Sequence, residues 1–172
     1  MTDIRYILSC KKCSLHKTRH NVVLGRGTMP CDILLLGEAP GSSEDLLAQA
    51  FIGRAGKLLD ELLSESHLDE FRLYFTTTIL CHPTDKLGGA NRSPVIGEIA
   101  SCMMNVNKII LAAHPKIIIF VGKIAQTYYH SRYPQAFAIH HPSFLLRSGG
   151  KSSPNYIPTL RKLEDIYAII NS

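Results

Sequence analysis

Two groups of residues in this chain have types and spacings suited to chemistry. The first is Gly37-Glu38-Ala39-Pro40-Gly41-Ser42-Ser43-Glu44-Asp45, which closes an apolar run and leads on to Phe51-Ile52-Gly53-Arg54-Ala55-Gly56. It sets a carboxylate on a tight Pro/Gly turn at the end of an expected strand, and in open α/β sheets ligands bind at the carboxyl ends of strands. A chain that bends on Gly and Pro there turns backbone N–H groups toward a polar or anionic group. The second group is a set of cysteines. Cys10-x2-Cys13, Cys81 and Cys102 supply a knuckle and two distant thiols, and tetrahedral sulfur ligation suits either zinc or an iron–sulfur cluster. Spacing alone also allows two structural thiols and two buried apolar cysteines. Cys31, beside an apolar run, reads as a packed small hydrophobe rather than a further ligand.

The elements that must hold these groups are legible in the hydrophobic pattern. Asp32 to Leu36 reads as a buried strand ending at Gly37; Leu73 to Leu80, with three consecutive threonines and two aromatics, as a second. Ile117-Ile118-Ile119-Phe120-Val121 is a third and Ala136 to His140 a short fourth. Between them, Leu58, Leu59, Leu62 and Leu63 line one face of a helix over Gly56 to Ser66. Ser93-Pro94 offers an N-cap and first turn for a helix running to about Ala113, stopped before Pro115. Helices are also expected over Lys123 to His130 and Pro158 to Ile170, and segment 146–155, with two glycines and three serines, as a mobile loop. Continuous apolar strands alternating with amphipathic helices predict a three-layer α/β/α fold around a mostly parallel four-stranded sheet.

At 172 residues one domain, 1–172, is expected, with no repeat and no low-complexity tract. The apolar fraction of 45% and charged fraction of 19% are those of a globular protein. A net charge of +5, with Lys11, Lys12, Lys17, Arg19 and Arg26 crowded near the start, favours polyanionic partners. The first 14 residues lack the apolar core of a signal peptide, and apolar runs of about six residues are too short for a bilayer. An intracellular, cytoplasmic, non-membrane protein is therefore expected, in a reducing compartment where five cysteines favour metal or cluster ligation over disulfides.

In order along the chain come Cys10-x2-Cys13-x-Leu15, Arg19, Val23-x-Gly25-x-Gly27, Gly37-Glu38-Ala39-Pro40-Gly41 with Glu44-Asp45, and Phe51-Ile52-Gly53-Arg54-Ala55-Gly56-x-Leu58-Leu59-Asp60. Cys81, Asn91-Arg92-x-Pro94, Glu98, Cys102 and His141-Pro142-Ser143-x-Leu145-Leu146-Arg147 follow. The whole resembles family-four uracil-DNA glycosylases, the iron–sulfur members of the uracil-DNA glycosylase superfamily. The resemblance implies a monofunctional repair glycosylase that hydrolyses the N-glycosidic bond of a flipped-out deoxyuridine and leaves an abasic site. It implies a [4Fe-4S] cluster on Cys10, Cys13, Cys81 and Cys102, and uracil-containing DNA, double- or single-stranded, as partner of a monomer. A flipped base needs an aromatic face, polar contacts to its edge and donors to the charge developing at O2. Phe51 is then the stacking platform, beside an imidazole of His141 placed to donate to O2. Glu38 orients water or stabilises the cationic sugar, and backbone at Gly37 and Ala39 completes the substrate pocket. Ser42, Ser43, Ser143 and Arg147 are candidate phosphate contacts at the rim. No lysine is placed for Schiff-base strand cleavage.

The chain departs from that family where it reads the base. Thr77 stands where the family has an asparagine four residues before the third cysteine, and Ala48-Gln49-Ala50-Phe51 replaces Gly-x-Pro-Phe. A carboxamide matches the paired donor and acceptor of uracil, which one hydroxyl imposes less firmly; Thr76 or Thr78 takes over if the register differs. Two other readings follow: a diverged member acting on or binding a 5-substituted pyrimidine, and a non-catalytic four-cysteine zinc module that binds nucleic acid.

Overall fold

The computed structural model describes residues 3–172. Its centre is a sheet in the order β1-β3-β2-β4-β5, formed by β1 (Arg26–Gly27), β2 (Ile33–Gly37), β3 (Leu73–Thr77), β4 (Ile117–Val121) and β5 (Phe137–Ile139). β2, β3, β4 and β5 are the four expected strands, and all pair in parallel. The strand the pattern did not announce is β1, two residues running antiparallel along the outer edge of β3. Its sequence signal is glycine rather than apolar alternation: a Cβ on Gly25 or Gly27, both at positive φ, would overlap the backbone of Phe75 or Leu73.

Alternate residues of the strands feed two cores, as the period of a pleated strand requires. Leu34, Leu36, Ile118 and Phe120 face one side, packed with Val106, Ile109 and Ile110 of α3 (Ile96–Ala113) and Ala125 and Tyr129 of α4 (Lys123–Tyr129). Ile33, Leu35, Ile119 and Val121 face the other, against Leu58, Leu59, Leu62 and Leu63 of α2 (Arg54–Glu65) and Leu163 and Ile166 of α6 (Tyr156–Ile170). The four β2 side chains Ile33 to Leu36 are all fully buried, which is why that run is uninterrupted by polar residues. α3 is long and apolar enough to cross a membrane, yet half of it is buried in this fold, with Ile99, Val106 and Ala113 on its inner stripe.

The differences from the sequence reading have local causes. Two short helices, α1 (Ser42–Leu47) and α5 (Pro142–Arg147), span too few turns to show a periodicity. β3 stops at Thr77 rather than Leu80, because Thr77 Oγ1 donates to Ile79 O at 2.7 Å and curls the chain out of the sheet. α3 begins two residues beyond Pro94: Glu98 Oε2 accepts from Val95 N at 2.9 Å and so caps the helix in place of Ser93. Segment 146–155, expected as a mobile loop, is instead the end of α5 followed by a single turn. Ser148 and Ser153 bond through their hydroxyls at 2.6 Å, and Lys151 Nζ lies 2.8 Å from Glu65 and 3.0 Å from Glu61.

Glu98 also anchors the loop between β3 and α3. It is buried, and Arg92 grips both its oxygens, at 3.0 and 2.7 Å. Glu98→Ala would leave that guanidinium with only Asp85 and Ser93 O as partners and uncap α3, so we expect urea unfolding to register a loss of about 1–3 kcal/mol. A change under 0.5 kcal/mol would show that the pair does not hold the loop.

Candidate active site

At the carboxyl ends of β2 and β3, beside the segment that follows β5, the surface opens into a cleft of about 780 Å³. Glu38, Ala39, Ser42, Ser43, Phe51, Thr77, His141, Ser143 and Arg147 all line it. Nine candidates spread over more than a hundred residues thus converge on one cavity. Gly37 lies immediately beneath it: a Cβ there would overlap the tip of the Phe51 ring, so only glycine lets the ring lie on the strand end. Gly56 plays the same part on the other side, where a Cβ would strike the Phe51 carbonyl. Phe51 itself has φ of +55°, a left-handed conformation that costs a bulky residue energy and is held only by its surroundings. The ring also rests on Phe75, centroids 5.9 Å apart. Only 7% of Phe51 is exposed, and that fraction faces the cleft.

The clamp that fixes this segment is Glu44. Its carboxylate accepts from Gly41 N at 3.2 Å, Ile52 N at 3.0 Å and Gly53 N at 2.7 Å, tying the Pro40-Gly41 turn to the start of α2. Asp45, next along, is buried and accepts from His20 N and Asn21 N and pairs with His20 Nδ1 at 2.8 Å, joining the N-terminal segment to the same turn. The sequence pattern alone assigns neither acid a task. Asp45 is buried near His82, whose Nε2 lies 2.6 Å from Asn91 Oδ1. That contact turns the Asn91 amide nitrogen toward Gly41 at the cleft wall.

His141 ends the loop after β5. Ser143 N–H points at its Nδ1 at 3.2 Å, and Ser143 Oγ lies 2.7 Å from the same atom. A backbone N–H can only donate, so Nδ1 is the unprotonated nitrogen and Nε2 carries the hydrogen. Burial, aided by the charge of Arg147, holds the imidazole pKa down to about 4. The ring is therefore neutral at pH 7 and offers one N–H donor. Ser143, expected at the rim as a phosphate contact, is bonded to His141 in this arrangement. Ser42 and Ser43 are exposed at the start of α1, and Arg147 is exposed at the end of α5. Arg54, exposed at the start of α2 and without a carboxylate partner among the described residues, joins them on the rim. Its place in Gly53-Arg54-Ala55-Gly56 was the available signal.

Thr77 is buried at the cleft floor with its hydroxyl hydrogen given to Ile79 O, so toward the cleft its oxygen can only accept. Neither alternative threonine can replace it: Thr76 Oγ1 donates to Leu24 O at 2.9 Å and Thr78 Oγ1 to Glu38 O at 2.6 Å. Thr78 instead fixes the carbonyl of Glu38, whose carboxylate accepts no hydrogen bond from the described residues and borders the cleft.

The residues 24–164 match the sequence profile of the Uracil DNA glycosylase superfamily. The chain belongs to that superfamily. It is 38% identical over 122 residues to a type-4 uracil-DNA glycosylase of Archaeoglobus fulgidus, a match covering 71% of this chain and 59% of the relative. Similar proteins of the same description occur in Sulfurisphaera tokodaii, 35% identical over 77% of this chain and 58% of the relative, and in Thermotoga maritima, 35% identical over 72% and 62%. The chain thus spans about three-fifths of the length of these superfamily relatives.

The cysteines gather away from the cleft mouth, in the core between α3 and the N-terminal segment, with Cys81 and Cys102 buried and Cys10 and Cys13 half-buried. Burial pushes the Cys81 thiol up to about 11 and Cys102 to about 12, and the neighbouring cysteines act on both in the same direction. Among the described residues no three His, Cys, Asp or Glu side chains stand close enough to hold a single metal ion. What faces the sulfurs is a set of hydrogen-bond donors. Arg19 Nη1 points at Cys81 Sγ at 3.2 Å, Asn105 Nδ2 at Cys10 Sγ at 3.3 Å and Leu80 N at Cys102 Sγ at 3.4 Å. Donors of this kind suit deprotonated, ligating sulfur, and the four residues fit a group held by thiolates. Cys31 lies apart, fully buried, with its thiol raised to about 11 by burial.

Two measurements test the site. The nitrogen-15 shifts of His141 should report the neutral Nε2–H form at pH 6, where an ordinary histidine is largely charged. Because its folded pKa lies below the unfolded value near 6.5, the folded state binds fewer protons between these values, and His141 should make stability rise from pH 4 to 6.5. Glu44→Ala should cost about 1–3 kcal/mol in urea unfolding, since it orphans three backbone donors; an unchanged midpoint would mean the turn stands without it.

Proposed function

We propose that this chain is a monofunctional uracil-DNA glycosylase, acting inside the cell on DNA that carries uracil. The observation that carries the reading is a neutral imidazole, its one N–H free of backbone partners, in the same cleft as an aromatic ring and an unpaired carboxylate. In hydrolysis of deoxyuridine the C1′–N1 bond breaks, uracil departs as an anion with charge at O2, and water attacks C1′. His141 Nε2–H would donate to O2 without yielding its proton, and the low imidazole pKa keeps that donor neutral across the physiological range. Glu38 would stabilise the cationic sugar and take up the proton of the attacking water. Phe51 would stack on the flipped base. Its centroid lies 6.3 Å from that of His141 at 30°, less than the roughly 7 Å that two ring contacts of about 3.5 Å need. The base therefore lies on Phe51 and meets His141 at its edge rather than between the two rings.

Ser42, Ser43, Arg147 and Arg54 would hold the phosphates on either side of the extruded nucleotide, in keeping with the chain's positive charge. Cys10, Cys13, Cys81 and Cys102 would hold a [4Fe-4S] cluster, which would tie the N-terminal knuckle to the β3–α3 region as a structural element. The single-domain monomer is the simplest assembly consistent with this reading. The relatives carrying the type-4 name favour uracil over a 5-substituted pyrimidine as the substrate.

Oligonucleotides bearing U:G, U:A, single-stranded U and 5-substituted uracils, incubated with the protein and then treated with alkali, test the assignment. Strand breaks at uracil are expected only after alkali; breaks at substituted bases alone would overturn the substrate. His141→Ala should slow excision by about 10²–10³-fold, the cost of one donor to a developing oxyanion, and a full rate would remove the mechanism. Thr77→Asn, restoring a paired donor and acceptor, should raise selectivity for uracil over cytosine about tenfold, at the lower end of a bidentate contact's 1–3 kcal/mol. Unchanged selectivity would show that Thr77 does not read the base.

A further inference from the structure

Asn105 is a buried carboxamide on the inner face of α3, only 2% exposed, and such a group is costly unless its polar atoms are met. Its partners are unusual. Nδ2 points at Cys10 Sγ at 3.3 Å, and Oδ1 receives Lys12 Nζ at 3.4 Å. Lys12 therefore fixes which end of the amide meets the sulfur. Arg19, half-buried, makes a parallel arrangement on the other side: Nη1 points at Cys81 Sγ at 3.2 Å while Nη2 donates to Cys10 O at 2.6 Å. Both devices join residues distant in sequence, and neither a carboxylate nor a phosphate-facing surface claims the Arg19 guanidinium.

We propose that Arg19 and Asn105, with Lys12 acting through Asn105, set the electronic character of the thiolate-bound group by donating to two of its sulfurs. This rests on the cluster assignment made above. Hydrogen bonds and positive charge at ligand sulfurs stabilise the state with more negative charge, which is the reduced one, and so raise the reduction potential. Arg19 contributes both a full charge and an N–H and is the stronger influence; Asn105 contributes a neutral donor. They are positioning residues: none touches the cleft where the base would bind, so their effect belongs to the metal group and not to glycosidic chemistry.

The test is a potentiometric titration, followed by electron paramagnetic resonance, on the anaerobically purified protein and on Arg19→Lys, Asn105→Leu and Lys12→Met, with iron and acid-labile sulfide measured in each. Arg19→Lys and Asn105→Leu are expected to keep the cluster and to titrate at more negative potential. For Asn105→Leu we expect about a tenfold change in the reduction equilibrium, which is 59 mV for one electron. Lys12→Met, which touches no cysteine sulfur (its ammonium meets Asn105 Oδ1 and, at 3.8 Å, the thioether of Met104), should move the same way by less, and it decides the matter alone if the other two shed their iron. Unchanged potentials in every variant that retains its cluster would overturn the proposal. Wild-type protein without iron and sulfide would overturn the cluster assignment itself, a different failure that the metal analysis shows before any titration.

Discussion

Phe51 lies so close above Gly37 that a hydrogen atom is all the strand end can carry there. The rest of the cleft is arranged around that contact. To bring the ring down, the backbone at Phe51 adopts a left-handed conformation, and strain of that kind, on the order of 1–3 kcal/mol, persists only where neighbours over-determine it. Gly56 gives room for the Phe51 carbonyl, Phe75 supports the ring, and Glu44 binds the turn on one side to the helix on the other. The Gly-, Pro- and acid-rich wording of residues 37–56 is the record of this one close approach.

The same economy governs His141. Its neighbours act together: a backbone N–H takes one ring nitrogen, partial burial disfavours the charged form, and Arg147 adds repulsion against a second positive charge. A histidine so placed is a fixed dipole rather than a proton shuttle. That suits a reaction whose leaving group needs a hydrogen bond in the transition state and no proton at that moment. Across the sheet the cysteine region follows the opposite rule, with cationic and amide donors collected toward sulfur.

The framework was readable because it follows from local pattern. Uninterrupted apolar runs located β2 and β4, four spaced leucines located α2, and the faces they bury are those the periodicities required. The residues that line the cleft were readable as well, since Gly37 to Gly41 and His141 to Arg147 sit where strands end. β1, α1 and α5 were not, because two to six residues hold too little pattern. The end of β3 escaped because a threonine hydroxyl, not a Gly or Pro, turns the chain.

What the sequence determined by itself is therefore the α/β architecture, the turn at Glu38 and the inventory of groups able to do chemistry, all products of short-range spacing and turn preference. Only the tertiary structure decided how those groups are used. The nitrogen of His141 that carries the hydrogen, the spent hydroxyl of Thr77, the burial of Asp45 against His20 and the pairing of Asn105 with Cys10 across 95 residues depend on which partner stands within hydrogen-bonding reach. Those partners are brought together by packing of the two cores, and no local pattern in the chain specifies them.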